Sequence, residues 1–343
     1  MALRLIQSNV GRSQGAQDIL LQTMMEHKYT FGIIAEPSRI PSDNPCWAAD
    51  TMGSVALFWR WLPGLPPCVA IKSGSHFVAA QWGQIVVIEI YFPPSGTLSE
   101  CEIWLDELST CIRRLKPLPF IIAGNFNAWN TTWGSIKTGP RGRLVETWAV
   151  SHDLILLNRG RVSTCIRPQG ESIIDLTWAY PVIARKVTKW EVAEDLEHMS
   201  DHCFILVHFD PPAKTIRSRL PENRWAVRKL NKAAFKSSII TSLWVKNSED
   251  STVEKSTQEQ LEWIIDTVST ACDASMPRTK YSFRRSTYWW NNHIASLRQN
   301  AIRQGRRVTR SRGNLVRRAE AWESYKEAKI ALRKAIKESK ENS

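Results

Sequence analysis

Short apolar runs separated by turn residues dominate the first two thirds of the chain. Runs rich in β-branched and aromatic residues predict strands at 31–35, 54–59, 68–72, 84–91, 120–123, 154–157, 173–178 and 203–209. Residues 99–116 and 142–152 instead carry apolar side chains at helical spacing. Several strands are apolar at every position, which is typical of strands buried on both faces. The pattern predicts a four-layer α/β sandwich, with two central mixed sheets flanked by helices.

The pattern changes after residue 209. Asp210-Pro211-Pro212 opens a segment rich in Lys, Arg and Ser, and we place a domain boundary there. Farther on the periodicity is helical, and one stripe is formed by Leu315, Trp322, Tyr325, Leu332 and Ile336. Such a stripe packs on another helix or another domain. We therefore expect a domain over residues 1–210 and a basic, mainly helical C-terminal extension over residues 211–343.

Charge is divided unevenly between these two parts. Residues 1–210 hold 18 Lys and Arg against 20 Asp and Glu, whereas residues 211–343 hold 28 against 13. A near-neutral domain is thus joined to a strongly basic region, in a chain whose net charge is +13. Such a region either binds nucleic acid phosphates or forms a solvated basic helical surface, and we favour the first explanation.

Composition narrows the class of protein further. No apolar run reaches ~18 residues, so we expect no membrane span. The seven cysteines lack the close pairs of disulfide frameworks and zinc sites, which fits a reducing intracellular compartment. Sixteen tryptophans are many for this length, and burial is their commoner use. Trp133 is expected to pack, whereas Trp129 could equally stack on a base or sugar.

Three polar clusters stand at the ends of predicted strands. They are Gln7-Ser8-Asn9 together with Glu36, the Asn-Phe-Asn turn at 125–127, and Ser200-Asp201-His202. Singly, each has an ordinary explanation as a helix cap, a turn or a solvated loop. Functional sites in α/β proteins gather at strand ends, however, so three clusters in this arrangement indicate a site.

In this order and spacing the clusters resemble the endonuclease/exonuclease/phosphatase superfamily, and within it the apurinic-type endonuclease domains of non-LTR retrotransposons. The resemblance covers roughly residues 3–209. The segments that carry it are QSNVGRS at 7–13, AEP at 35–37, IEIYFPPS at 88–95, AGNFNAWNTTWGS at 123–135, SIIDLTWA at 172–179 and MSDHCFI at 199–205. Farther on, Tyr288-Trp289-Trp290-Asn291 and the basic helix behind it resemble the connector before the reverse transcriptase of such elements. We expect no polymerase active site, because the chain has no adjacent pair of aspartates.

The resemblance implies a magnesium ion, with Mn²⁺ as the alternative, held by Glu36 with Asn9 beside it and by Asp201. Few protein ligands and several waters suit Mg²⁺, which neutralises the charge on a cleaved phosphodiester.

The resemblance also implies the roles of the residues that meet the phosphate. His202 would contact the scissile phosphate as a charged donor, oriented by Asp175. Tyr91 would donate to the phosphate or assist near the leaving group, and Asn127 would donate from its tight turn.

One position departs from the family pattern in a way that bears on catalysis. The family has Gly-Asp-Phe-Asn where this chain has Gly124-Asn125-Phe126-Asn127. The expected Asp orients and deprotonates the attacking water, and a neutral amide cannot accept that proton. General-base assistance is worth typically ~10²–10⁴-fold, so we expect impaired turnover. Gly11, where the family often has Asp or Asn, weakens any metal contact from that loop.

The sequence therefore predicts a Mg²⁺-dependent DNA endonuclease domain of a retrotransposon protein, which nicks target DNA to leave a 3′-hydroxyl primer. An inactive nucleic-acid-binding fragment is the main alternative, and a phosphatase of the same superfamily is a third. Duplex DNA is the expected partner, with element RNA a further one through the basic region, and a nuclear location is expected. Basic residues between the Asn-Phe-Asn turn and Asp175 are either DNA contacts or ordinary surface charge. They are Lys137, Arg141, Arg143, Arg159, Arg161 and Arg167.

Overall fold

The structure is a computed structural model that describes residues 3–41, 43–62, 64–115, 118–209, 223–225, 227–248, 256–280, 288–311 and 313–342. The predicted boundary at Asp210-Pro211-Pro212 lies outside these residues. None of the helices in the described ranges has the length and apolar content needed to cross a membrane.

The strands of the described residues lie between Leu3 and Lys280. In chain order they are β1 (Leu3–Asn9), β2 (Phe31–Ala35), β3 (Trp47–Ala49), β4 (Val55–Trp59), β5 (Cys68–Ser73), β6 (Phe77–Trp82), β7 (Ile85–Tyr91), β8 (Phe120–Asn125), β9 (Ile155–Leu156), β10 (Cys165–Arg167), β11 (Gly170–Ser172), β12 (Asp175–Ala179), β13 (Val187–Ala193), β14 (Phe204–Phe209), β15 (Asn223–Trp225) and β16 (Arg278–Lys280).

The α-helices are interleaved with these strands and then continue beyond them. They are α1 (Gln14–Glu26), α2 (Leu98–Leu115), α3 (Pro140–Ser151), α4 (Pro181–Ala184), α5 (Lys232–Ser248), α6 (Thr257–Ser275), α7 (Asn292–Arg310) and α8 (Leu315–Glu341). Short 3₁₀ turns lie at Thr131–Trp133 and Val227–Lys229. The helices predicted at 99–116 and 142–152 match α2 and α3 closely.

Two mixed sheets form the centre of the sandwich. The first has the strand order β13-β14-β1-β2-β4-β3 and the second the order β5-β6-β7-β8-β12-β9. Only β1 with β2 and β7 with β8 pair in parallel, and the other neighbours in these two sheets pair antiparallel. Each sheet thus has the mixed strand directions that the sequence predicts.

Alternating side chains of the strands fill three apolar layers. Leu5, Ile33, Val87, Ile121 and Ile205 belong to the inter-sheet core, where the two sheets face each other. The opposite face of the second sheet packs on α2 and α3, and that of the first sheet packs on α1. This arrangement of helix, sheet, sheet and helix confirms the predicted four-layer sandwich.

The chain divides into two compact units, and they differ from the predicted domains. One unit joins Met1–Ser218 to Arg285–Ser343, and the other is Arg219–Arg284. The C-terminal helices α7 and α8 therefore belong with the sandwich, although their composition suggested a separate extension. The physical reason is burial: Ile294, Leu332 and Ile336 share one apolar cluster with α1 and the first sheet.

Polar contacts also hold the α7–α8 hairpin to α1. Arg298 is 5% exposed, and its guanidinium donates to Glu26 at 2.6 Å and to the Thr23 hydroxyl at 2.7 Å. Lys340 pairs with Asp18, and both side chains are mostly buried. Pairing of the two terminal nitrogens lowers the cost of burying the guanidinium, so these contacts help to hold the hairpin on α1.

The second unit is built from β15, β16, α5 and α6. Its two strands pair antiparallel, and the Trp225 indole donates to Asp273 at 2.7 Å. A capping box between Ser256 and Glu259 begins α6, because each residue's side chain satisfies the other's backbone N–H.

Candidate active site

Polar side chains replace apolar ones at one end of the inter-sheet core. On the second sheet, Tyr91, Asn125 and Asp175 lie opposite one another on β7, β8 and β12. Residues in register project from the same face, so these three side chains form a row. Asn9 ends β1 on the facing sheet and has the same strand parity as the inter-sheet residue Leu5. The two sheets therefore contribute side chains to one polar site, which has two walls.

The first wall is organised around Glu36. This residue follows β2 with a left-handed backbone, φ 47°, and its N–H donates to the Ser54 carbonyl at 2.8 Å. The Asn9 amide donates to a Glu36 carboxylate oxygen at 2.8 Å, and Tyr91 hydrogen-bonds to the same carboxylate. Burial and the Glu36 charge raise the pKa of the Tyr91 hydroxyl, with Arg12 and Arg167 opposing. Tyr91 therefore remains a protonated donor next to an anion.

The second wall is a buried histidine–aspartate pair. The Nδ1 atom of His202 lies 2.8 Å from Asp175, and the two side chains are only 5% and 4% exposed. Thr164 donates to the same Asp175 oxygen at 2.7 Å. Burial alone would lower the pKa of His202, but the charge and hydrogen bond of Asp175, with a smaller contribution from Cys165, raise it to about 10. The imidazole is consequently protonated at neutral pH.

Ser200 joins the two walls. Its hydroxyl donates to the Asn9 carbonyl at 2.6 Å and accepts from the backbone N–H of His202 at 3.2 Å. Asn9, Glu36 and Tyr91 are thereby connected through Ser200 to His202 and Asp175, which is paired in register with Asn125. These contacts close a ring around the end of the core.

Asn125 and Asn127 form a tight turn inside this ring. The Asn127 N–H donates to the Asn125 side-chain oxygen at 2.9 Å, and Asn127 itself has φ 45°. The side-chain amide of Asn127 donates to the Phe92 carbonyl at 2.9 Å, so this amide has a backbone partner where the sequence predicted a phosphate donor. Gly124 is required here, because a Cβ at this position would lie 1.9 Å from the Ile90 carbonyl oxygen.

Asp201 differs from the other predicted site residues in its exposure. Its side chain is 47% exposed and lies 3.5 Å from the Arg167 guanidinium. The Asp201 carbonyl accepts from Ile166 N–H at 2.8 Å, and His202 forms a β-bridge with Cys165. The β10–β11 hairpin therefore borders the site and places Arg167 there.

The oxygen donors of the site bear on whether it can hold a divalent cation. The described residues contain no cluster of three or more His, Cys, Asp or Glu side chains able to enclose a metal. Glu36 is partly exposed, and its carboxylate has an amide neighbour in Asn9. One carboxylate with amide oxygens and several waters is the kind of set that Mg²⁺ accepts, so these residues fit an open magnesium site.

Thr164, which the sequence did not single out, and Gln7, from the first predicted cluster, also support the site. Thr164 bonds to Asp175 from a loop eleven positions upstream, and no local pattern marks it. Gln7 lies one layer below the site, where it accepts from Thr177 at 3.0 Å and donates to the Gly124 carbonyl at 3.3 Å. This buried polar layer links the sheets directly beneath the ring.

Two tryptophans and one loop arginine that the sequence analysis named differ in their exposure and contacts. Trp133 is 2% exposed and its indole donates to the Ala128 carbonyl, which confirms the predicted packing role. Trp129 is 48% exposed, with the Lys137 ammonium 5.5 Å from its ring. Arg141 donates to the carbonyls of Pro93 and Gly96, so its guanidinium has a structural use.

Comparisons with known proteins place this arrangement in context. The family described as endonuclease-reverse transcriptase matches residues 85–206. The endonuclease domain of TRAS1, a telomere-specific non-LTR retrotransposon, superposes with a TM-score of 0.53 at 21% identity, covering 61% of this chain and 98% of that one. The 3′ phosphatase NExo from Neisseria, bound to a product DNA hairpin, gives a TM-score of 0.50 at 16% identity, with 61% and 100% covered. None of the curated proteins matches the chain significantly.

The family match and the structural match cover the same part of the chain, the sandwich. The family match includes β7, β8, β9 and β12 of the second sheet and the His202 turn, and the TRAS1 domain is covered almost completely. The sandwich of this chain therefore has the fold of the TRAS1 endonuclease domain, and its residues 85–206 match the endonuclease-reverse transcriptase family.

Proposed function

We propose that the sandwich is a Mg²⁺-dependent DNA endonuclease of a retrotransposon protein, which nicks duplex DNA to leave a 3′-hydroxyl end. The observation that carries the proposal is the ring itself: a carboxylate with Asn9 and Tyr91 on one wall faces a protonated His202–Asp175 pair on the other. Besides activation of the attacking water, phosphodiester cleavage needs a carboxylate that can hold a metal cation and a cationic donor to a phosphate oxygen.

Glu36 and Asn9 are the proposed metal holders, with Asp201 at the edge of the site. A bound Mg²⁺ would neutralise charge on the phosphate and on the leaving oxygen. The chain's own contribution is orientation, because Asn9 and Tyr91 fix the Glu36 carboxylate by hydrogen bonds before any ligand arrives. Asp201 bonds to Arg167 instead, so its use as a ligand requires that ion pair to open.

His202 is the proposed phosphate donor. Because Asp175 occupies its Nδ1 atom, the Nε2–H of the protonated ring is the atom for a phosphate oxygen. The thiol of Cys165 also hydrogen-bonds to the ring. Sulfur is a weak acceptor, and a phosphate oxygen is a much stronger one, so binding of substrate at this position is favourable.

Asn125 supports a second candidate, an inactive domain that binds nucleic acid without cleaving it. Its side chain lies in the row with Tyr91 and Asp175, where the family pattern has the general-base Asp. An amide there cannot take the proton of the attacking water. We propose that turnover is impaired and that binding is retained, because a general base acts in the transition state.

A phosphatase of the same superfamily is the third candidate, since NExo from Neisseria is a 3′ phosphatase. The basic region argues for a polymeric anion rather than a small phosphorylated molecule. The last turns of α7 expose Arg303, Arg306, Arg307 and Arg310, and α7 contains no acidic residue. We propose duplex DNA as the main partner of this arginine ridge, with element RNA as a further one, and a nuclear location.

The test is nicking of supercoiled plasmid by the full chain with Mg²⁺, with and without a chelator. Slow, chelator-sensitive conversion to open circles that carry 3′-hydroxyl ends is expected. Glu36→Gln should remove both this conversion and the thermal stabilisation by Mg²⁺, whereas Glu102→Gln, an exposed site on α2, should change neither. DNA binding without any nicking would support the inactive domain, and release of phosphate from a 3′-phosphorylated hairpin alone would support the phosphatase.

A further inference from the structure

The segment before Ser200 contains a buried carboxylate that the proposed chemistry does not use. Glu197 is 2% exposed, and one of its oxygens accepts the backbone N–H of Met199 at 2.7 Å. The same oxygen accepts the Tyr325 hydroxyl at 3.2 Å, and Tyr325 lies on α8, in the C-terminal hairpin. The hairpin thus bonds to the residues that lead directly into the active-site turn.

The backbone at this point needs support. Met199 has φ 52°, a left-handed conformation that costs a residue with a side chain of order 1–3 kcal/mol unless its surroundings enforce it. The Glu197 carboxylate enforces it by holding the Met199 N–H. The next residue, Ser200, then places its hydroxyl between the Asn9 carbonyl and the His202 N–H.

The hairpin in turn makes burial of the Glu197 carboxylate tolerable. Desolvation raises the pKa of Glu197, and this is opposed by its bond to Met199, the charge of Lys329, the Tyr325 hydroxyl and the charge of Arg298. Three of these four opposing groups belong to α7 and α8. A buried carboxylate without donors is strongly destabilising, so the conformation of this segment depends on the hairpin.

Two ion pairs connect the α7–α8 hairpin to the segments on either side of the Ser200–His202 turn. Arg318 on α8 lies 2.9 Å from Glu171 of the β10–β11 hairpin, and both side chains are mostly buried. Arg306 on α7 lies 3.8 Å from Asp195, just before Glu197. The helical hairpin therefore contacts both segments that border His202.

We propose that Tyr325 and Glu197 are positioning residues, through which the C-terminal hairpin holds the Ser200–His202 turn in its active geometry. The catalytic part of this inference rests on the proposed endonuclease function, whereas the conformational part does not. It makes the α7–α8 hairpin a working part of the nuclease rather than a linker beside it.

The experiment compares Tyr325→Phe with Tyr288→Phe, a matched change at a tyrosine that is 72% exposed. Tyr325→Phe removes one hydroxyl and keeps the ring. Hydrogen exchange at the amides of Met199 and His202 should quicken by about tenfold, the equivalent of one hydrogen bond, while the amides of β7 and β8 stay protected. Single-turnover nicking should slow by a similar factor with the DNA dissociation constant unchanged.

A second pair of variants separates positioning from general stability. Glu197→Gln keeps an oxygen that can accept from Met199, so it should resemble wild type more closely than Glu197→Ala does. Unchanged hydrogen exchange at Met199 and His202 in Tyr325→Phe would overturn the proposal. Exchange that quickens equally at amides throughout the sandwich would overturn it as well. If the parent chain does not nick at all, the endonuclease proposal fails, but the exchange measurement still decides the positioning role.

Discussion

The strand-end site and the C-terminal hairpin sit in the same compact unit, yet their sequences reveal them to very different degrees. The site residues stand in short, distinctive segments, each at the end of an apolar strand. The hairpin presents a basic amphipathic pattern that is equally compatible with a linker, a nucleic acid arm or a packed layer. In the structure, Leu332 is fully buried and Arg298 is paired with α1.

This difference shows what kind of information is local. The end of a strand is determined by the few residues around it, and antiparallel or parallel pairing then brings those ends together. The surface on which an amphipathic helix packs comes from a distant part of the chain. Here α8 packs on α1, which lies about 300 residues earlier in the sequence. The sequence therefore indicates that α8 needs a partner without identifying which one.

The first prediction has the largest expected effect and tests whether the strand-end site lacks only the general base. Asn125→Asp restores a proton acceptor between Tyr91 and Asp175, and it keeps the oxygen that accepts from the Asn127 N–H. Single-turnover nicking should accelerate by ~10²–10⁴-fold, because a general base lowers the barrier only in the transition state. DNA affinity should stay equal or fall slightly, since a negative charge is added near phosphate.

The control for this comparison is Asn130→Asp. Asn130 is a buried asparagine in the following turn, and its amide bonds to Glu146 and the Gly142 carbonyl. It should not raise the rate. Equal rates for wild type and Asn125→Asp would show that another residue supplies the base or that the site is deficient elsewhere.

The second prediction tests whether the hairpin belongs to the fold of the sandwich. Leu332→Ala opens a cavity where α8 meets α1 and should lower the free energy of unfolding by ~2–5 kcal/mol. Leu315→Ala, at the exposed start of α8, should change it little, since Leu315 is 84% exposed. Chemical denaturation followed by tryptophan fluorescence would measure both. A separate early transition for the hairpin, with the sandwich unaffected, would restore the extension that the sequence predicted.

The sequence predicted much of the sandwich but only part of the site. The strands β7 and β8 and the helices α2 and α3 are marked by local periodicity, and the site residues Glu36, Tyr91, Asn125 and His202 lie at their predicted strand ends. Other features depend on geometry that sequence does not encode locally. The Asn127 amide turns to the Phe92 carbonyl, and Thr164 reaches Asp175 from a loop.

The third prediction concerns the charge of the hairpin. Arg303, Arg307 and Arg310 share the exposed face of α7, and their replacement by Gln leaves the buried face intact. Each lost phosphate contact removes about 0.9 from the slope of log K against log salt, so the triple variant should have a slope smaller by ~2–3. Lys326, Lys334 and Lys337 of α8 are near glutamates and supply a matched triple control with a smaller effect. The same slope in wild type and arginine variant would show that the ridge does not contact DNA.

The last prediction concerns a pH dependence that belongs to the site and not to the hairpin. The pKa of His202 is raised to about 10 in the folded chain: burial lowers it, but the charge and hydrogen bond of Asp175 outweigh that effect. The folded state thus binds this proton more tightly than the unfolded state, whose histidine titrates near 6.5. The resulting stabilisation is complete below pH ~6.5 and is lost as the pH rises toward 10.

Asp175→Asn keeps an acceptor for Thr164 but removes the charge, so its unfolding free energy should change less across this window. Thermal unfolding at a series of pH values would show the wild-type and variant curves converging as the pH rises. Parallel curves would mean that His202 is neutral in the folded chain, and its proposed use as a charged phosphate donor would then fail.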